Sequence, residues 1–105
     1  MMYVLDENGE PRSTVDVEEY LALRMNIEAR QVKVTKFSGG MVSTVFLCDD
    51  HNWSGQGPPV LWATMVFGGD SGTLGCRRYC TRAEASAGHE EMVGLWSAAL
   101  GGVPV

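Results

Sequence analysis

Met41-Val42-Ser43-Thr44-Val45-Phe46-Leu47 and, beyond a loop, Val60-Leu61-Trp62-Ala63-Thr64-Met65-Val66-Phe67 are the most apolar stretches of the chain. Both are rich in β-branched and aromatic side chains, which fit a pleated and largely buried surface, so they are read as the central strands of a sheet. Side chains alternate along a strand, which puts Trp62 and Met65 on opposite faces of the second one. Both faces of that strand are therefore apolar. One face takes a helix, and the other calls for a cover of its own, from an N-terminal helix or a second subunit.

Working outward, Arg30 to Phe37 alternates Val32, Val34 and Phe37 with polar residues as a half-buried strand does, and Ser38-Gly39-Gly40 turns it back. Gly68-Gly69-Asp70-Ser71-Gly72 is a further turn, leading to a short strand around Gly75 to Cys80. At the other end, Met2 to Leu5 reads as a strand followed by Asp6-Glu7-Asn8-Gly9-Glu10-Pro11, where Asn8-Gly9 is a strong two-residue turn signal. Asp16 can cap a helix from about Val17 to Asn26, with Glu18 and Glu19 at the positive end of its dipole. Thr81-Arg82-Ala83-Glu84 fits a capping box, opening a helix that runs to about Leu100 and ends at Gly101-Gly102. Its apolar stripe is Ala85, Met92, Leu95, Trp96 and Ala99, with Gly88 allowing close approach to whatever lies beneath. The sum is a single α+β domain: a mostly antiparallel sheet of about five strands, a short N-terminal helix, and a long C-terminal helix packed on one face.

A chain of 105 residues buries roughly 65% of its unfolded surface and folds without staples. With 45% apolar and 20% charged residues it is too hydrophobic to be disordered. A formal charge of -5 argues against general binding of nucleic acid, whose phosphates recruit Lys and Arg. The apolar runs fall short of the ~20 residues that cross a bilayer, and no basic region precedes a hydrophobic stretch at the N-terminus, so the expected location is cytoplasmic and off the membrane. Cys48, Cys76 and Cys80 form no CxxC pair, so zinc is disfavoured. Positions four apart share a strand face, which places Cys76 and Cys80 in or against the core as reduced thiols.

The loop Cys48-Asp49-Asp50-His51-Asn52-Trp53-Ser54-Gly55-Gln56-Gly57-Pro58-Pro59 concentrates an imidazole, carboxylates, an indole and freely turning backbone. An indole stacks on a nucleobase, free amides at Gly55 and Gly57 meet an anion, and Arg77, Arg78 or Arg82 supplies positive charge. The candidate ligand-binding set is therefore Asp50, His51, Asn52, Trp53, Gly55, Gly57, Arg77, Arg78 and His89. The alternative is that Trp53 covers the edge of the core while Pro58 and Pro59 stiffen the entry to the next strand. Asp50 and His51 with His89 and Glu90 can also be drawn as a divalent-metal site that activates water. Against this, Asp50 can cap the loop and the two histidines can make neutral hydrogen bonds. No metal and no cofactor is assigned.

Tyr3-Val4-Leu5-Asp6-Glu7-Asn8-Gly9-Glu10-Pro11, Val42-Ser43-Thr44-Val45-Phe46-Leu47, Asp50-His51, Gly57-Pro58-Pro59, Thr64-Met65-Val66-Phe67-Gly68-Gly69, Arg78-Tyr79 and Ala87-Gly88-His89 carry a resemblance that spans almost the whole chain. In this order they resemble a family of small proteins of unknown function encoded by tailed bacteriophages and prophages. The family usually has Gly-Leu where this chain has Cys48-Asp49, and Glu where it has Ala63. The resemblance implies a phage gene product in the host cytoplasm, with no catalytic residues to carry over. From it and the small size, the expected function is a non-enzymatic accessory protein that antagonises host defence. It would do so by sequestering a small nucleotide or by occluding a host protein, as a possible homo-oligomer. The alternative is a small metal-dependent hydrolase using Asp50, His51, His89 and Glu90.

Overall fold

The computed structural model describes residues 1–69 and 72–100. Among them the chain runs β1 (Met2–Leu5), β2 (Pro11–Thr14), α1 (Val17–Arg24), α2 (Ile27–Arg30), β3 (Gln31–Phe37), β4 (Gly40–Phe46), β5 (Trp62–Phe67), β6 (Thr73–Tyr79) and α3 (Arg82–Ala99). The architecture is α+β, but the strands divide into two sheets. β3-β4-β5-β6 form a four-stranded antiparallel meander, and β1 pairs instead with β2 in a separate hairpin. The expected single sheet of about five strands is thus corrected: Asn8-Gly9 turns β1 onto its own partner. Asp6 Oδ1 accepts from the amides of Asn8 and Glu10 at 2.8 and 2.9 Å, and Gly9 takes the left-handed φ of 77° that closes the turn. β2 shows no apolar alternation, since Arg12 and Ser13 are exposed, and so leaves no strand signal in sequence. The hairpin touches the meander where the Tyr3 amide donates to the Cys48 carbonyl at 2.8 Å.

The N-terminal helix is shorter than the reading of Val17 to Asn26. Asp16 caps it, accepting from the amides of Glu18 and Glu19, but the chain breaks after Arg24 because Asn26 caps α2 through the Ala29 amide at 3.1 Å. A second N-cap inside an apparently continuous helix ends it. α3 starts as expected, with Thr81 and Glu84 forming the reciprocal capping box. Its proposed stop at Gly101-Gly102, and Asp70 and Ser71 of the β5–β6 turn, lie outside the described residues.

α3 crosses one face of the meander. The face it covers carries Val42, Thr44 and Phe46 of β4 and Trp62, Thr64 and Val66 of β5, all at most 0% exposed. Ala85, Gly88, His89 and Met92 are the helix residues buried against it, whereas Leu95 is 59% exposed and Ala99 is exposed as well, so the expected stripe loses both and gains His89. A Cβ on Gly88 would run into the ring and hydroxyl of Tyr79, which is the close approach that glycine permits. Two apolar clusters lie under the helix. One joins Phe46, Leu61, Trp62 and Tyr79 to the hairpin and α1 through Tyr3, Leu5, Tyr20 and Leu23; the other is Phe37, Val42, Val66 and Met92 with Trp96.

Between the clusters sits a polar knot. His89 is fully buried, with Nδ1 2.7 Å from the Thr44 hydroxyl and Nε2 2.9 Å from that of Thr35, and Thr44 reaches Thr64 at 2.6 Å. Each ring nitrogen has a partner, so the imidazole is satisfied in its neutral form. Burial holds its pKa below the usual histidine value; Glu90 opposes this and Lys33 adds to it.

Two outcomes follow from the knot. Thr44→Val leaves buried hydroxyl and imidazole groups short of partners and is expected to lower stability by about 1–3 kcal/mol, read from urea unfolding. Because the folded pKa of His89 is depressed, its stabilising contribution is complete above the unfolded value of about 6.5 and is lost as pH falls below it. The urea midpoint should therefore fall between pH 7.5 and 5.5, and His89→Gln should flatten that fall. An unchanged slope in the variant would assign the pH dependence to another group.

Candidate functional site

The chain leaves β4 at Cys48, a buried non-glycine residue at φ 66°, and returns to β5 at Leu61. The base of this loop is closed by the Leu47 amide on the Leu61 carbonyl at 2.7 Å and the His51 amide on the Val60 carbonyl at 2.9 Å. Within it, Asp50 Oδ1 accepts from the amides of Asn52 and Val60 at 2.7 and 2.9 Å, and these two bonds hold its carboxyl below the usual range. Asn52 donates to the carbonyls of Gln56 and Pro58 at 2.6 and 2.9 Å and accepts from Ser54. Gly55 and Gly57 supply left-handed turns at φ 76° and 83°. Asp50, Asn52, Gly55 and Gly57 thus serve the loop's own fold.

The remaining expected ligand residues separate. Arg77 pairs with Glu91 of α3 at 2.7 Å and His89 is inside the knot, both on the covered face of the sheet. Arg78, one residue on, pairs across the ladder with Ala63 and belongs to the opposite, open face. His51 also lies on the open side, bordering a cleft floored by Ser43, Val45 and Met65, with the ring of Trp53 5.3 Å away. Trp53 is 79% exposed and does not cover the core. His51 and His89 therefore do not meet: the sheet stands between them. The Asp50, His51, His89 and Glu90 metal cluster is not assembled, and no group of three or more metal-ligating side chains occurs among the described residues.

The expectation for the cysteines changes too. Cys76 stands opposite Met65 on the open face and is exposed, while Cys80 lies past the end of β6, where strand alternation no longer applies.

The cleft beside His51 has a volume of about 540 Å³ and is walled by Arg24, Met25, Ile27 and Arg30 of the α1–α2 segment. Arg24 bonds the Leu47 carbonyl at 3.3 Å and Asp49 at 3.1 Å, and Arg30 bonds the Phe46 carbonyl at 3.2 Å. These arginines satisfy carbonyls where β4 leaves the sheet, and so pin the helices to the sheet's end. Asp49 also accepts from the Tyr20 hydroxyl at 2.8 Å; burial, and then this carboxylate, raise the tyrosine pKa. Arg30 Nε and His51 Nδ1 are buried with no hydrogen-bond partner among the described residues. In sequence, Arg24 reads as one position of a helix and Arg30 as the start of a strand, and only the break at Asn26 signals that the segment folds back.

The cleft is one end of a larger feature. α3 covers one face of the meander; the other presents Val34 of β3, Met41 and Val45 of β4, and Met65 and Phe67 of β5, all partly exposed. The expected cover from the N-terminal helix reaches only the cleft end, where Met25 is 83% and Ile27 50% exposed. At the far end, Lys36, Phe37, Met41, Phe67 and Gly69 line a second hollow of about 590 Å³. Among the described residues, the strand positions of this face carry Lys36 and Arg78 and no carboxylate. No helix among the described residues is long and apolar enough to cross a membrane.

Comparison with protein-family models, with curated proteins and with solved structures finds no match to the chain. The open face and its cleft therefore stand on geometry alone.

Since Asn52 staples the loop, Asn52→Ala is expected to cost about 1 kcal/mol and to speed amide hydrogen exchange across residues 52–58. Trp53→Ala should leave stability within about 0.5 kcal/mol, because the indole is on the surface. A large loss on that substitution would return Trp53 to the core.

Proposed function

We propose that this chain is a non-catalytic binding protein that occludes a partner protein through the open face of its sheet. The observation that carries this is the partly exposed apolar surface of Val34, Met41, Val45, Met65 and Phe67 on a sheet whose other face is buried under α3 along its central strands. Contiguous apolar surface on a small domain marks an interaction site. Its two strand cations, in a chain of net charge -5, favour a partner with acidic groups around an apolar centre. The resemblance to tailed-phage proteins extends the reading: the partner would be a host defence component, met in the host cytoplasm. A second reading, capture of a small nucleotide, rests on the cleft where Arg24, Arg30 and His51 converge beside the exposed Trp53 indole. Native mass spectrometry of protein purified from its host distinguishes the two, since a retained nucleotide supports the second.

For the preferred reading, Met65→Glu puts a carboxylate in the middle of the face. It is expected to abolish crosslinking of Cys76, which lies across the ladder, to a host protein, while the thermal midpoint moves by only a few degrees. Undiminished crosslinking to the same protein by a folded Met65→Glu variant would remove the open face from the function.

A further inference from the structure

Each edge strand of the meander carries one cation on each face. On β3, Lys33 lies opposite Thr44 on the covered face and Lys36 opposite Met41 on the open one; on β6, Arg77 lies opposite Thr64 and Arg78 opposite Ala63. On the covered face both edge cations are paired by the helix lying between them. Lys33 bonds Glu90 and Arg77 bonds Glu91, adjacent residues of α3 that reach to opposite edges of the sheet. On the open face the same arrangement recurs without the helix: among the described residues, neither Lys36 nor Arg78 has a carboxylate partner.

We infer that the open face is built to receive an acidic amphipathic helix from a partner, lying across it as α3 lies across the other side. This deepens the proposed function and rests on it. An extended peptide cannot hydrogen-bond to the flat of a sheet, only to its edge, so the flat takes a helix or another sheet. Four strands at about 4.8 Å spacing make a bed of the width that one helix of about 10–12 Å diameter and its flanking side chains cover. The bed is apolar along its middle strands, through Met41, Val45, Met65 and Phe67, and cationic at both edges. The guest must therefore carry an apolar stripe with carboxylates on both sides, the pattern of α3 itself with Glu90 and Glu91 flanking Met92. A second copy placed face to face does not meet this requirement. The face holds no strand carboxylate, so a two-fold face-to-face arrangement offers Lys36 and Arg78 no carboxylate from the facing strands.

The test uses the full chain labelled with ¹³C at the methionine methyls, where Met41 and Met65 report the open face and buried Met92 the covered one. It is titrated with a stapled 14-residue helix bearing a leucine stripe flanked by glutamates, with a lysine-flanked twin, and with a proline-broken glutamate version. The glutamate helix is expected to shift Met41 and Met65 saturably, spare Met92, and bind about tenfold more tightly than the twin, the size that two exposed ion pairs made or reversed carry. Lys36→Glu with Arg78→Glu should invert that preference. Equal binding of the twin, equal binding of the proline-broken peptide, or no saturable shift overturns the helical guest. Should the peptides fail while Met65→Glu still loses the crosslinked host protein, the helix inference falls and the open-face reading stands. If Met41 and Met65 are shielded from a soluble paramagnetic agent in the free protein, as in a dimer or an open polymer detected by sedimentation, both fall.

Discussion

The rest of the molecule depends on the seat of His89. α3 can lie flat on the meander only because its buried imidazole finds hydroxyls at Thr35 and Thr44, with Thr64 completing the chain of hydrogen bonds. An unsatisfied imidazole there would cost about 1–3 kcal/mol, a large share of a small domain's net stability. With the knot made, the helix is fixed in register over β3, β4 and β5, and Gly88 lets it settle against Tyr79. The two apolar clusters on either side then close independently around Trp62 and around Met92. The neutral histidine also orients the helix in a way that apolar packing, which is non-directional, does not.

Committing the helix to one face leaves the other to the remaining elements, and among the described residues these cover it only in part. The α1–α2 segment is held at one end by arginines that bond the carbonyls of Phe46 and Leu47, so it walls a cleft without roofing the sheet. The β1–β2 hairpin is tied elsewhere, through Tyr3 to Cys48 and through Arg82 to the Gly9 carbonyl at 3.1 Å. Arg82 also lies 5.8 Å over the Trp62 ring, which secures the hairpin beside the start of α3. Neither attachment leaves a free element to swing onto Met41, Met65 and Phe67. The exposure of the apolar face is a consequence of where the polar contacts are.

The loop between β4 and β5 shows how composition can mislead about a site. Its imidazole, carboxylate, amide and glycines are the residue types of a ligand pocket, yet they are also the residues that build a tight loop. Here Asp50 and Asn52 spend their hydrogen-bonding groups on the loop's own backbone. His51 instead borders a cleft walled by arginines from a segment more than twenty residues earlier, with the exposed Trp53 ring beside it. Side chains that satisfy nearby backbone groups and side chains that await a ligand look alike in sequence, because the difference lies in where each hydrogen bond goes.

By itself the sequence determined the local elements. Alternation marked β3, apolar runs rich in β-branched and aromatic residues marked β4 and β5, the capping box marked the start of α3, Asn8-Gly9 marked the first turn, and the two apolar faces of β5 already called for two covers. These signals are legible because they depend on residues a few positions apart. The tertiary structure decided the pairing of β1 with the weakly patterned β2, the break at Asn26 and the burial of His89. It also set His51 and His89 on opposite faces and left Lys36 and Arg78 unmatched at the sheet's edges. Each of these turns on contacts between residues distant along the chain, whose energies are set by which face, which neighbour and how much water surround them, and no local pattern encodes that.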